Sequence, residues 1–309
     1  MSAPPDLLMP SMSPAHRRSG DAGLRAALAV LAAIFLVGAF APAIVSATGL
    51  PGPGEIDASS LSPLFGTASG PSSAHWFGVD DLGRDILSRT IYGTRVSLGV
   101  AASATALSLL VGVSAGMIAG FRGGLVDTVI SRLIETFMVI PYLLLAAGIA
   151  ASCSGEGGCF GGTLRPGIPL VVLVISMTSW PGVARLTRNQ TIAIGQADYI
   201  ASARVAGLGT PRILLTEILP NLSGSILVFV TVLVPQAILA EAALSFLGVG
   251  VPASTPSWGQ LIVRAVPSFP DSWWAMLFPG LALLATVFAI TVIGDRLRDR
   301  SSLLTGWSR

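Results

Sequence analysis

Polar residues almost vanish from long stretches of this chain, and short segments rich in Pro, Gly, Ser and Arg separate those stretches. Apolar runs able to cross about 30 Å of hydrocarbon lie at 24–46, 96–119, 129–151, 168–184, 225–247 and 274–294. The fourth is the shortest and is interrupted by Trp180-Pro181-Gly182. Six crossings predict an all-α, polytopic membrane protein with both termini on one side. The first run follows Arg17-Arg18 and ends near Val45-Ser46-Ala47, which mimics a secretory signal. Its apolar length exceeds the roughly 7 to 15 residues of a cleavable segment, so an uncleaved anchor is expected.

The polar segments add detail. A long outer loop from 47 to about 88 is rich in Pro, Gly and Ser at first and polar at its end. There Gly83, Gly93 and Gly99 punctuate a run entering the membrane, and Asp80, Asp81, Arg84 and Asp85 are expected to pair locally on a solvated interfacial helix, with direct substrate contact as the alternative. A second outer segment, 248–272, carries Pro252, Pro256, Pro267 and Pro270 beside Trp258, Trp273 and Trp274. Those indoles suit the headgroup zone, where the ring is half apolar and its N–H stays wet. Gly120, Gly123 and Gly124 predict a tight turn between the second and third spans.

Composition agrees with the bilayer as solvent. The 309 residues are 52% hydrophobic and 11% charged, with a mean hydropathy of +0.76, too little charge for a water-soluble surface. A formal net charge of +2 gives no basis for nucleic-acid binding. Its distribution is more telling. With the N-terminus inside, the inner segments hold Arg17, Arg18, Arg25, Arg122, Arg132, Arg185, Arg188, Arg204, Arg212, Arg296, Arg298, Arg300 and Arg309, against Arg84, Arg89, Arg95, Arg165 and Arg264 outside. That asymmetry satisfies the positive-inside rule and predicts a plasma-membrane protein with 186–223 and the tail after 294 in the cytoplasm, and 47–90 and 152–166 outside.

Few groups offer chemistry. Without a single lysine the chain cannot form a Gly-x-x-x-x-Gly-Lys-Ser/Thr phosphate loop, so it is not itself an ATPase. The histidines are His16, in a predicted tail, and His75, in the outer loop, and no catalytic cluster is found. Cys153 and Cys159 flank a Gly-rich spacer with no His nearby, which excludes a zinc reading. A small disulfide loop and two idle thiols both remain open. Glu135 and Glu241 lie inside spans, where an ionised carboxylate needs a partner or a wet cavity. Arg132, one turn from Glu135, suggests a structural pair. Glu241 has no such neighbour, so contact with a cation on the translocation path and a helix-packing hydrogen bond both stand.

The most informative stretch is 198–220, Asp-Tyr-Ile-Ala-Ser-Ala-Arg-Val-Ala-Gly-Leu-Gly-Thr-Pro-Arg-Ile-Leu-Leu-Thr-Glu-Ile-Leu-Pro. It reads as two short helices: Asp198 caps the first, Gly207 to Gly209 break it, Thr210-Pro211 start the second and Pro220 stops it. Ala201, Ser202, Ala203 and Ala206 give the first helix small side chains, which suit close docking. The stretch resembles the coupling loop of binding-protein-dependent ABC transporter permeases, whose pattern is Glu-Ala-Ala, three residues, Gly, nine residues, Ile-x-Leu-Pro. Ala201, Ser202 and Ala203 stand at the first three positions, Arg204 directly after them, Gly207 at the glycine with Leu208 and Gly209 beyond it, and Leu219-Pro220 at the closing pair. Ala201 replaces the acidic residue, which excludes a salt bridge from that position, Ser202 replaces the first alanine, and Glu217 stands where Ile is usual.

Three further segments are similar to the dipeptide, oligopeptide and nickel branch of that family: 77–93, 119–127, and 241–250 with 256–259. The resemblance implies a permease fold of the type I importers, a core at 94–294 with a coupling loop at 186–223, and flanking elements at 1–23, 24–46, 47–93 and 295–309. It also implies a second homologous permease subunit, two cytoplasmic ATPase subunits carrying ATP and Mg, an extracytoplasmic solute-binding protein, and no cofactor on this chain. The implied function is import of peptides, with nickel or glutathione-like solutes as the alternative. A passive channel would need no lever-like inner loop, and a membrane enzyme would need catalytic groups that are missing.

Overall fold

A computed structural model describes residues 14–61, 68–153, 167–248, 250–252 and 254–305. The helices are α1 (Pro14–Ala39), α2 (Ala41–Thr48), α3 (Ile86–Arg122), α4 (Gly124–Val139), α5 (Tyr142–Cys153), α6 (Ile168–Gly195), α7 (Asp198–Val205), α8 (Thr210–Ile213), α9 (Leu219–Phe246), α10 (Trp258–Ala265) and α11 (Trp274–Thr305). Five of the described helical stretches are long and apolar enough to cross a membrane, and the bent pair α4–α5 makes six if it counts as one span.

The apolar runs and the helices differ where proline acts. The run at 24–46 is not one helix, because the chain breaks at Phe40 before Ala41-Pro42 opens α2. The run at 129–151 is bent by 84°. Pro141 causes it, since the residue before a proline is pushed out of the α region, and Ile140 stands at φ −73°, ψ 120°. Pro181, by contrast, does not interrupt its run: α6 continues for 28 residues with Pro181 buried inside it. A buried helix face supplies alternative partners for the backbone groups that proline frees.

The centre of the bundle is the α3–α6 pair, the most extensive helix contact of the fold. Gly112, Gly116 and Gly120 recur every fourth residue on one face of α3. A Cβ on them would stand 2.5 Å from Val183 Cβ, 2.5 Å from the Ala184 carbonyl oxygen and 2.6 Å from the Arg188 carbonyl oxygen. In lipid, where apolar burial barely drives association, such close backbone approach is what holds helices together. Around this seam one end of the core contains Val100, Leu170, Val174, Ile238, Leu244 and Trp258. The other end contains Met117, Val183, Ile200, Ile213, Ile218 and Leu222.

The segment before α3 is folded inward rather than solvated, and it is not a helix. Arg89 is wholly buried and donates from Nη1 to the Pro53 carbonyl at 2.9 Å. Asp80, also buried, accepts from the backbone N–H of Leu82 and from Arg84 Nε at 2.8 Å. His75 bridges Asp85 (Nδ1, 2.9 Å) and Asp57 (Nε2, 3.2 Å), while Asp85 caps α3 by accepting from Ser88 N–H at 2.7 Å. Buried Asp80, Asp85, Arg84 and His75 thus exchange hydration for polar partners, with the half-exposed Asp57 at the rim.

Candidate functional site

Residues 198–220 form a hairpin at the end of the bundle opposite α10. Helix α7 starts from Ala197, which serves as the N-cap without a side-chain bond, so Asp198 is the first helical residue rather than the cap. Gly207 stands at φ +79°, the left-handed turn that a glycine break predicts. Thr210 is likewise the first residue of α8, whose N-cap is Gly209.

Pro220 does not stop the second helix. Residues Leu214–Ile218 form a π-turn in which the Leu219 N–H reaches the Leu214 carbonyl, and the chain runs on into α9. The wider turn meets a proline that has no N–H to place, so the helix passes through. The second arm of the hairpin is therefore continuous with a spanning helix.

The hairpin is anchored on one side and open on the other. Ile200, Ile213 and Ile218 are buried against Met117, Val183 and Leu222. The Arg204 guanidinium lies 4.7 Å from the Phe121 ring centroid at the end of α3, a cation–π contact. Ala201, Ser202, Arg204, Gly207, Gly209 and Pro220 are exposed, Ala203, Leu208 and Leu219 half-buried, and Val205 is 90% exposed. The hairpin thus has an apolar root packed on α3, α6 and α9 and an open tip of small side chains.

Glu241 is enclosed at the opposite end. Its carboxylate accepts from Ser257 Oγ (2.7 Å), Ser245 Oγ (3.1 Å) and Ser97 Oγ (3.3 Å). Ser97 in turn accepts from the Trp258 backbone N–H, and the Trp258 indole donates to the Thr90 carbonyl at 3.2 Å. Trp258 is fully buried inside the protein, whereas Trp273 is 47% exposed. Gly259 lets α10 lie against α9: a Cβ there would stand 2.5 Å from Ala242 Cα. Segments 77–93, 241–250 and 256–259, far apart in the chain, thus converge on one knot.

Glu135 pairs with Arg132 Nη1 at 2.9 Å on an exposed face of α4. The pairing of Cys153 with Cys159 lies outside the described residues. Among the described residues no group of three or more His, Cys, Asp or Glu side chains is placed to hold a metal.

Residues 112–302 match the family of inner membrane components of binding-protein-dependent transport systems. The chain belongs to this family. Among its relatives, the dipeptide transport system permease DppC of Bacillus subtilis is 37% identical over 74% of this chain and 68% of its own length. A peptide transport system permease of Brucella abortus is 34% identical over 94% and 90%. The glutathione transport system permease GsiD of Pectobacterium atrosepticum is 37% identical over 74% and 73%. The MetNI methionine ABC transporter, solved facing inward, shares the fold with a TM-score of 0.55 at 17% identity, covering 69% of this chain and 97% of that one. This chain is accordingly a multi-pass permease component of an ABC importer.

The sequence pattern did not reveal the glycine seam, the Arg204–Phe121 contact or the His75 bridge. The four-residue recurrence of Gly112, Gly116 and Gly120 was available as a signal. The other two depend on helix ends that meet only in three dimensions.

Proposed function

We propose that this permease component forms, with a homologous second subunit, the translocation path of a peptide importer. The hairpin 198–220 docks on one of two cytoplasmic ATPase subunits, which carry the ATP and Mg. An extracytoplasmic solute-binding protein delivers the solute to the other end. Both termini lie in the cytoplasm, in keeping with the arginine distribution.

The observation that carries this reading is the open hairpin tip rooted in α3, α6 and α9. Ala201, Ser202 and Ala203 bring the ATPase surface close, and Gly207 turns the chain between the two arms. Ile200, Ile213 and Arg204 transmit its movement to the spans. Closure of the ATPases then rocks the spans and exposes the path to each side in turn.

Peptides are favoured because relatives covering most of the chain are named as dipeptide, oligopeptide and peptide permeases. The likeness to a glutathione permease supports a glutathione-like solute as the second reading. The test is uptake by the reconstituted complex with its binding protein. A labelled dipeptide should accumulate with ATP and resist competition by excess glutathione or nickel; uptake of glutathione alone would replace the first reading with the second.

A further inference from the structure

Helix α4 packs on the bundle along one side only. Ile134 is buried there, and Asp127 accepts from Arg188 Nη2 of α6 at 2.6 Å. Another side carries Thr128, Arg132, Glu135 and Thr136, whose spacings of four, three and one residues put them on a common stripe. All four are exposed; the side chains of Arg132 and Glu135 are 78% and 61% exposed. The threonines bond to their own helix, at the Gly124 and Arg132 carbonyls, and among the described residues to no other element. Arg132 lies about 12 Å along α4 from its start at the usual rise per residue.

The bent pair α4–α5 has the length and composition of one span, and Arg132 and Glu135 lie within it. Ionised side chains inside spans turn to a wet cavity or a partner. The pair is also a weak structural device, since an exposed pair three residues apart adds little to helix stability. Val129 and Leu133, on the neighbouring sector, are at least half exposed and suit lipid, while Leu125, in the first turn of α4, falls on the same side as Arg132 and Thr136.

We propose that the stripe of Thr128, Arg132, Glu135 and Thr136 lines the water-filled path, and that Arg132 and Glu135 form a charge site for the two ends of a zwitterionic solute. The guanidinium takes the solute carboxylate and Glu135 takes its ammonium group, the solute separating the pair as it binds. The identity of the solute rests on the peptide reading above; the wet stripe does not.

The test uses the assembled transporter in proteoliposomes, with Cys153→Ser and Cys159→Ser as background. A small cationic methanethiosulfonate should modify Thr128→Cys at least tenfold faster than Leu133→Cys, block transport, and be slowed by excess dipeptide. Arg132→Gln and Glu135→Gln should each lower dipeptide uptake at least tenfold while the subunits still copurify. Equal slow modification at both cysteines, modification that leaves transport intact, or full uptake by both glutamine variants would overturn the proposal. Loss of dipeptide protection alone, with the labelling ratio and transport block kept, would refute the peptide reading and leave the wet stripe standing.

Discussion

Replacing Gly116 by alanine tests the seam that organises the bundle. The added Cβ would meet the Ala184 carbonyl oxygen at 2.5 Å, Thr187 Cβ at 2.8 Å and the Arg188 amide nitrogen at 2.9 Å. Two of these are backbone atoms, so no side-chain rotation relieves the clash, and α3 and α6 must part by about 1 Å to restore ordinary contact. Overpacking of this kind costs about 1–3 kcal/mol. The better helix propensity of alanine returns about 0.5–1 kcal/mol. The net is a loss of about 0–2.5 kcal/mol, centred near 1, spread along a seam that also contains Gly112 and Gly120. Gly99, in the same helix, is the control, because nothing lies within 4 Å of its added Cβ. Thermal unfolding midpoints of the purified complex, compared in one detergent, should fall by several degrees for Gly116→Ala and hold or rise slightly for Gly99→Ala. Equal midpoints would refute the seam.

Two further outcomes are expected. Burial alone would lower the pKa of His75, but its bonds to Asp85 and Asp57 outweigh that and raise it above the usual value, while Ser59 and His75 lower that of Asp57. The histidine contribution is therefore complete below about pH 6.5 and fades as pH rises through the raised value, so the protection of amides in residues 50–60, taken relative to their intrinsic exchange rate at each pH, should fall above neutrality, and His75→Asn should abolish that fall. In a background of Cys153→Ser and Cys159→Ser, an impermeant thiol reagent applied to intact cells should label Ser73→Cys and miss Ser202→Cys, both positions being exposed on the chain; labelling of Ser202→Cys would reverse the topology.

Much of this architecture was legible in the hydrophobic pattern because bilayer thickness dictates helix length. What escaped it depended on proline and on tertiary contact. Pro141 bends its run while Pro181 and Pro220 are absorbed, and one sequence cannot tell these cases apart, since the difference lies in the neighbours of each ring. The polar run 80–89 looked like a solvated helix because its residues are charged; it is largely buried, with Asp80 paired to Arg84 and Arg89 Nη1 donating to the Pro53 carbonyl. Trp258 looked interfacial, yet Gly93 and Gly259 open a slot for it between α3 and α9. The hairpin was the most legible element, because Gly207 carries its turn locally. Its continuity into α9 was not, since a π-turn leaves no mark in composition.

The coupling role of that hairpin can be isolated at Gly207. Nothing in this chain lies within 4 Å of a Cβ added there, and the left-handed φ costs an ordinary residue about 1–2 kcal/mol, least for Asp and Asn. The permease should therefore fold with Gly207→Asp, and any assembly defect reports on what meets the tip. Gly207→Asn, nearly the same shape without the charge, is the comparison. Copurification of the ATPase subunits and dipeptide uptake, measured together, should both drop at least tenfold for Gly207→Asp and less for Gly207→Asn, with the permease still in the membrane. Full assembly and undiminished uptake by Gly207→Asp would contradict the coupling role.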